Sequence, residues 1–242
     1  FDDFLNDVSR MAHILRDTLG VVKGQPVGIA MRNCPELMIM TMAIASVGAV
    51  TVFVNAWWTT DELDYALKDS GAKLVFADGD RADRMAPLVD PLGLTLVGVR
   101  DADEKTSISY NYLINSTRNA TQVDVSIDAD DDFAIMYSSG TTGHPKGVVQ
   151  THRGAINAVF TWLLQGASAP FTADAEPDPN TPAPRPSVLI VTPLFHVTAT
   201  HPMFLLSIPA GAKVALIYKW DAAEAVRIIR DEKITRFLGV PT

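Results

Sequence analysis

Four hydroxyl side chains, two glycines and a lysine fall within nine consecutive residues, in the segment Met136-Tyr-Ser-Ser-Gly-Thr-Thr-Gly-His-Pro-Lys-Gly-Val-Val149. Ser138, Ser139, Thr141 and Thr142 can each donate to a phosphate oxygen. Gly140 and Gly143 carry no side chain, so backbone N–H groups can turn inward and form a concave nest for an anion. Lys146 adds a compact positive charge on a flexible stem, suited to the end of a polyphosphate, and Pro145 stiffens the approach to it. The chemistry implied is a polyphosphate clamp that neutralises and orients a nucleotide tail. It is not a Walker A loop, in which Gly-Lys is followed by Ser or Thr and a helix, because Gly147 and an apolar run follow Lys146. The Gly-x-Gly-x-x-Gly dinucleotide fingerprint is also absent. The plain structural reading of the same residues is a solvated turn between two strands.

The elements that must position this loop follow from apolar spacing. Phe1, Phe4, Leu5, Val8, Ala12, Leu15 and Leu19 recur every three to four residues and predict an amphipathic helix. A short apolar strand is expected over 27–31. Asn33 and Glu36 read as a capping box with Pro35 in the first turn, opening a helix to about Val47, and a strand follows over 49–54. Thr59 and Glu62 form a second capping-box pattern for a helix ending near Ser70. Strands over 73–77 and 94–99 flank a helix over 81–89. The β-α-β-α-β rhythm predicts an α/β fold of mostly parallel sheets packed with helices. The polar, acidic stretch 101–132 reads as a connector. Strands over 133–137 and 147–150 bracket the loop, and a helix is expected over 153–165. The segment 168–186, with six prolines and few large apolar residues, reads as a surface loop. Beyond it come a strand over 188–192, a helix near 201–208, a strand over 213–218, a helix capped by Asp221 with Glu224, and a buried strand from Ile234 that ends in Gly239-Val-Pro-Thr242. Two lobes, 1–132 and 133–242, are expected.

Composition bounds the function. The chain has 242 residues, 48% hydrophobic and 20% charged, and a formal net charge of −8. That length supports a large buried core. The acidic balance excludes a nucleic-acid partner or an anionic membrane surface, both of which need a basic face. Cys34 is the single cysteine, so no internal disulfide framework exists and a reducing, cytoplasmic setting is expected. The uncharged run 37–54 has Ser46-Val-Gly48 at its middle and β-branched residues after it, which favours a buried helix and strand over a transmembrane segment. The chain opens on Phe1 inside a helical pattern and closes inside a strand pattern, which reads as the first part of a longer protein.

The string Tyr137-Ser-Ser-Gly-Thr-Thr-Gly-His-Pro-Lys-Gly147 resembles the AMP-binding signature of adenylate-forming enzymes, a family that includes acyl-CoA synthetases, coumarate–CoA ligases, firefly-type luciferases and the adenylation domains of peptide synthetases. Thr151-His152, Pro193-Leu-Phe-His196 and Gly239-Val-Pro-Thr242 are similar to further family elements in order and spacing. Upstream, Gly48-Ala-Val-Thr-Val-Phe-Val-Asn55, Asp61-Glu-Leu-Asp-Tyr65 and Asp69-Ser-Gly-Ala-Lys73 resemble its N-terminal lobe. The resemblance covers nearly the whole chain except the Pro-rich loop. Asn55-Ala-Trp-Trp58 and Phe195-His-Val-Thr-Ala-Thr-His201 look most like bacterial fatty acyl-CoA synthetases.

The resemblance implies a two-step reaction. A small-molecule carboxylic acid, here a fatty acid, attacks ATP to give an acyl-adenylate and pyrophosphate, and the thiol of coenzyme A then displaces AMP. Ser138, Ser139, Gly140, Thr141, Thr142, Gly143 and Lys146 would bind the ATP phosphates. Phe195, His196, Gly239 and Pro241 would line the acid and adenylate pocket. Mg²⁺ would accompany ATP, with its acidic partner beyond Thr242. The catalytic lysine of a C-terminal domain would also lie beyond Thr242, so no catalytic residue is assigned here and the isolated chain is expected to be inactive. An aryl, bile-type or amino acid substrate, a carrier-protein acceptor and a non-catalytic nucleotide-binding module all stay open, and an oligomer is possible. His196 and His201, five residues apart, lack the i, i+4 spacing of a helical zinc pair, and His201 reads as structural. His152 divides evenly between a helix cap and a substrate role, and His144 is expected to face solvent. Trp57 and Trp58 read as packing residues, and Met31, Met38, Met40 and Met42 as core filler.

Overall fold

The computed structural model describes residues 1–118, 120–138, 144–172 and 184–239, the side chains of 169–172 excepted. It separates into two compact units, Phe1–His152 and Arg153–Thr242.

The first unit is built on a seven-stranded sheet in the order β5-β4-β3-β1-β2-β6-β7. Its strands are β1 (Pro26–Ala30), β2 (Val50–Phe53), β3 (Leu74–Asp78), β4 (Thr95–Val99), β5 (Ile108–Ser109), β6 (Asp132–Ser138) and β7 (Lys146–Thr151). Every pairing is parallel except the β6–β7 hairpin. Strands buried on both faces read as continuous apolar runs, and β1 to β4 do. The helices are α1 (Asp2–His13), α2 (Pro35–Ser46), α3 (Thr60–Ser70), α4 (Gly79–Met85), α5 (Val89–Leu92) and α6 (Tyr110–Ser116). The chain runs from β1 through α2 to β2, then returns through α3 to place β3 on the other side of β1. Fully buried Phe53, Phe76, Met11, Met31 and Met40 fill the core between sheet and helices, in keeping with the filler role expected of the methionines.

Local signals set some boundaries closely. The Thr59 capping box forms as expected: the Thr59 side chain accepts from the backbone N–H of Glu62, and the Glu62 side chain accepts from that of Thr59. The helix stops at Gly71, whose left-handed φ of 71° suits a residue without Cβ. The box expected at Asn33 does not form. The N-cap of α2 is Cys34 with Pro35 opening the helix, Asn33 is buried, and Glu36 instead reaches Arg100 at 3.2 Å. The 101–132 connector is more ordered than its polarity suggested, because Ser109 caps α6 by accepting from the Tyr112 N–H. The uncharged run 37–54 is helix α2 followed by strand β2, and no described helix is long and apolar enough to cross a membrane.

The second unit carries a three-stranded parallel sheet in the order β10-β8-β9, from β8 (Ser187–Ile190), β9 (Lys213–Leu216) and β10 (Arg236–Leu238). Its helices are α7 (His152–Thr172), α8 (Val197–Ala199) and α9 (Ala222–Asp231), the last capped by Asp221 Oδ1 accepting from the Glu224 N–H at 2.8 Å. A wide π-turn and a 3₁₀ turn continue α8 over 200–207. Helix α7 runs past the expected start of the Pro-rich loop at Ser168, through Thr172, with Pro170 inside its last turn. The rest of that loop, 173–183, lies outside the described residues. The strand expected as buried from Ile234 is an edge strand among the described residues: β10 pairs there with β8 alone, and Phe237 is 45% exposed.

Candidate functional site

The hairpin that carries the hydroxyl and lysine residues belongs to the first sheet, on its pairing with β2. Ala134, Ile135 and Met136 of β6 lie beside Thr51, Val52 and Phe53 of β2, and β7 folds back along the free edge. The last rung of the hairpin pairs Ser138 with Lys146, and the next pairs Tyr137 with Gly147. Ser138 and Lys146 therefore leave the sheet together, both exposed. Ser139, Gly140, Thr141, Thr142 and Gly143 lie outside the described residues. Gly147 has a packing reason for its identity: a Cβ there would sit 3.0 Å from Ile135 Cγ2 and 3.3 Å from the Tyr137 ring.

Helix α3 packs beside this hairpin. The Tyr65 ring lies on the His144 imidazole, centroids 4.5 Å apart and planes at 17°. One turn later Asp69 accepts from the Tyr137 hydroxyl at 2.8 Å, with the Ala66 carbonyl at 3.1 Å from the same oxygen. Burial and the neighbouring Asp69 carboxylate both push the Tyr137 phenol upward, so it stays a protonated donor. Trp58 is buried and meets the Tyr137 ring edge-on at 5.4 Å, the packing role expected of it, whereas Trp57 is exposed. His144 is exposed as expected, yet one face of its ring is covered by Tyr65. The sequence held no signal for Tyr65 and Asp69 as neighbours of the loop, since they are more than 65 positions from their partners.

His152 closes the hairpin. Its backbone N–H donates to the Asp131 carbonyl at 3.0 Å, and its ring stands edge-on to Phe133. In the second unit, the backbone leaving β8 reaches Phe195, half-buried, and His196, exposed. His196 caps α8: its Nδ1 accepts from the Thr198 N–H at 3.3 Å, with Thr198 Oγ1 at 3.0 Å. A neutral ring that accepts through Nδ1 carries its hydrogen on Nε2, which makes Nε2 the donor nitrogen of His196. Thr200 holds this turn by donating to the Leu194 and His196 carbonyls. Leu238 pairs with Ile190, so Gly239 leaves β10 at the same end of the sheet from which the 191–196 segment leaves β8. Pro241 lies outside the described residues. No cluster of three or more His, Cys, Asp or Glu among the described residues could hold a metal ion, so no magnesium ligand is assigned to them.

His201 is 3% exposed, its Nδ1 has no hydrogen-bond partner among the described residues, and burial lowers its pKa. Burial also lowers that of His152, whose Nε2 has no partner among the described residues. A histidine held below its unfolded pKa of about 6.5 favours the native state fully above that value. As pH falls through it, the unfolded chain takes up protons first and stability declines. The thermal midpoint is therefore expected to fall between pH 7.5 and 5.5, and to fall less in His201→Leu; equal slopes would assign the pH sensitivity elsewhere.

A sequence profile described as "AMP-binding enzyme" matches residues 1–242. The chain belongs to the AMP-binding enzyme family. It is 32% identical over 225 residues to 4-coumarate–CoA ligase 3 of Arabidopsis thaliana, covering 92% of this chain and 38% of that protein. It superposes on the inhibitor-bound N-terminal domain of FACL13 from Mycobacterium tuberculosis with a TM-score of 0.80 and 29% identity, covering 99% of this chain and 55% of that one. ATP-bound MatB from Rhodopseudomonas palustris shares the fold, with a TM-score of 0.82, 21% identity and coverage of 100% and 44%. The chain thus spans about two fifths of the length of the curated relatives it matches. The mostly parallel α/β architecture is that of the N-terminal domains of adenylate-forming enzymes.

Proposed function

We propose that this chain carries the phosphate-binding part of an ATP-dependent acid–CoA ligase. The observation that carries the reading is the β6–β7 hairpin, whose last rung sets Ser138 opposite Lys146 at the two ends of the signature loop. In the proposed reaction a carboxylate oxygen attacks the α-phosphorus of ATP, the α–β bridging bond breaks and pyrophosphate leaves. The thiol sulfur of coenzyme A then attacks the acyl carbon, and AMP leaves with its phosphate oxygen. Two anions must meet in the first step. The Lys146 ammonium and the loop hydroxyls with Ser138 would neutralise the β- and γ-phosphates and hold the leaving group in line. Mg²⁺ would enter with the nucleotide and share that neutralisation.

The His196 Nε2–H would donate to the carboxylate or adenylate, with Phe195, Gly239 and Pro241 completing that wall. A fatty acid is the substrate we favour, supported by the likeness to FACL13 and to a Mycobacterium tuberculosis fatty acyl-CoA synthetase. An aryl acid is the second reading, favoured by the coumarate ligases among the relatives. Cys34, a free and buried thiol, fits the cytoplasmic setting we favour. ATP–pyrophosphate exchange by the complete enzyme, across fatty acids, cinnamates, benzoates and amino acids, tests the proposal. Exchange with one acid class is expected and names the substrate. MgATP binding without exchange for any acid would replace the ligase by a nucleotide-binding module.

A further inference from the structure

We propose that Tyr65 and Asp69 of α3 are positioning residues for Lys146, and that they set the affinity for the nucleotide without touching it. The proposal rests on the reading of the hairpin as an ATP phosphate site. Lys146 is bracketed by two contacts to one helix face. Two residues before it, His144 stacks on Tyr65 with centroids 4.5 Å apart. One residue after it, Gly147 pairs with Tyr137, whose hydroxyl donates to Asp69 at 2.8 Å. Tyr65 and Asp69 are four residues apart, on one face of α3.

The strut is needed because β7 is an edge strand. Among the described residues it pairs with β6 alone, and Val148 and Val149 are each about half exposed. A two-stranded ribbon with one wet edge frays at its open end, where Lys146 sits. Helix α3 is a firm abutment, fixed at its start by the capping box and packed through buried Leu63, Ala66 and Leu67. The absence of a side chain at Gly147 leaves the Tyr137 ring room to reach Asp69: a Cβ there would sit 3.3 Å from that ring and 3.0 Å from Ile135 Cγ2. The aromatic stack contributes stiffness at the loop side, and the carboxylate–phenol bond at the sheet side. Together they limit how far the Lys146 backbone can swing, so the ammonium is delivered to one place rather than a range.

The strut acts on the nucleotide side of the reaction only. Tyr65→Ala and His144→Ala in the complete enzyme are expected to raise KM for ATP about tenfold while KM for the acid stays near its parental value. Tyr65→Phe keeps the ring and recovers the affinity. Asp69→Ala is expected to act in the same direction, and Asp69→Asn, which can still accept from Tyr137, to recover it. His144 lies on the exposed side of the stack, so its replacement does not threaten folding. Hydrogen exchange supplies a readout independent of ATP: the amides of 146–148 are expected to exchange about tenfold faster in Tyr65→Ala, with those of β1 and β3 unchanged. Unaltered exchange at 146–148 and an unaltered KM for ATP would overturn the strut. Faster exchange in an enzyme that neither binds MgATP nor exchanges pyrophosphate would uphold the strut and overturn the ATP reading. Equal rises in both KM values, without recovery by Phe or Asn, would reduce α3 to a general structural support.

Discussion

Lys146→Ala in the complete ligase is expected to lower kcat/KM for MgATP in pyrophosphate exchange by about 10²–10³-fold, the cost of removing one preorganised charge from a site where negative charge develops. The expectation follows from where the residue stands. Its Cα is fixed by the rung to Ser138 and its side chain is exposed at the loop end of the hairpin. The stem is long enough for the ammonium to meet a terminal phosphate from that position, and a point charge tolerates the changing geometry as pyrophosphate departs. Lys146→Arg should recover part of the loss, because charge is kept while the planar fork fits the same space less well. The thermal midpoint should stay close to the parental value, since an exposed side chain at a strand end contributes little to folding. A decrease of less than threefold, with pyrophosphate exchange otherwise normal, would remove Lys146 from the phosphate site.

The second large effect concerns stability. Asp78 and Arg81 form a fully buried pair, with side chains 0% and 2% exposed and Arg81 Nε 2.5 Å from Asp78 Oδ1. Asp78 ends β3, Arg81 begins α4, and the other carboxylate oxygen accepts from the Arg32 backbone N–H at 3.2 Å. One carboxylate thus joins the ends of β1 and β3 to the helix that follows. Asp78→Ala removes the carboxylate beside a buried guanidinium and the acceptor of the Arg32 N–H, and is expected to cost about 3–5 kcal/mol, roughly 10 °C in the thermal midpoint. Asp78→Ala with Arg81→Met removes both charges and should recover most of that loss, because the desolvation cost disappears with the pair. A single-variant cost under about 1 kcal/mol would mean that water reaches the guanidinium and the pair is not sealed.

Short-range physics made much of the fold legible. The Thr59 and Asp221 caps were readable because each cap joins residues three apart. Strands β1 to β3 were readable because both their faces are covered, so each is a short apolar run between turn signals. Where a local pattern competed with a distant contact, the distant contact prevailed. Glu36 could have closed a box with Asn33, yet it pairs with Arg100, 64 residues away. The residues 110–116 form a helix in a polar stretch because Tyr110, Leu113 and Ile114 find a buried face. Phe237 looked like core and lies on an edge strand, a matter of which neighbour is present.

The candidate site divides in the same way. By itself the sequence determined the chemistry on offer, because donors, glycines and a lysine packed into nine residues state their purpose through composition and order. It also carried the family likeness, since the signature is one contiguous string. The tertiary structure alone decided that Ser138 and Lys146 face each other, and that Tyr65 and Asp69 meet His144 and Tyr137, the residues beside and opposite the Lys146 end of the hairpin. Those relations join residues from separate elements, and their geometry depends on sheet order and helix packing. No pattern of neighbouring residues encodes them, because the free energy that holds them comes from surfaces brought together only when the chain has folded.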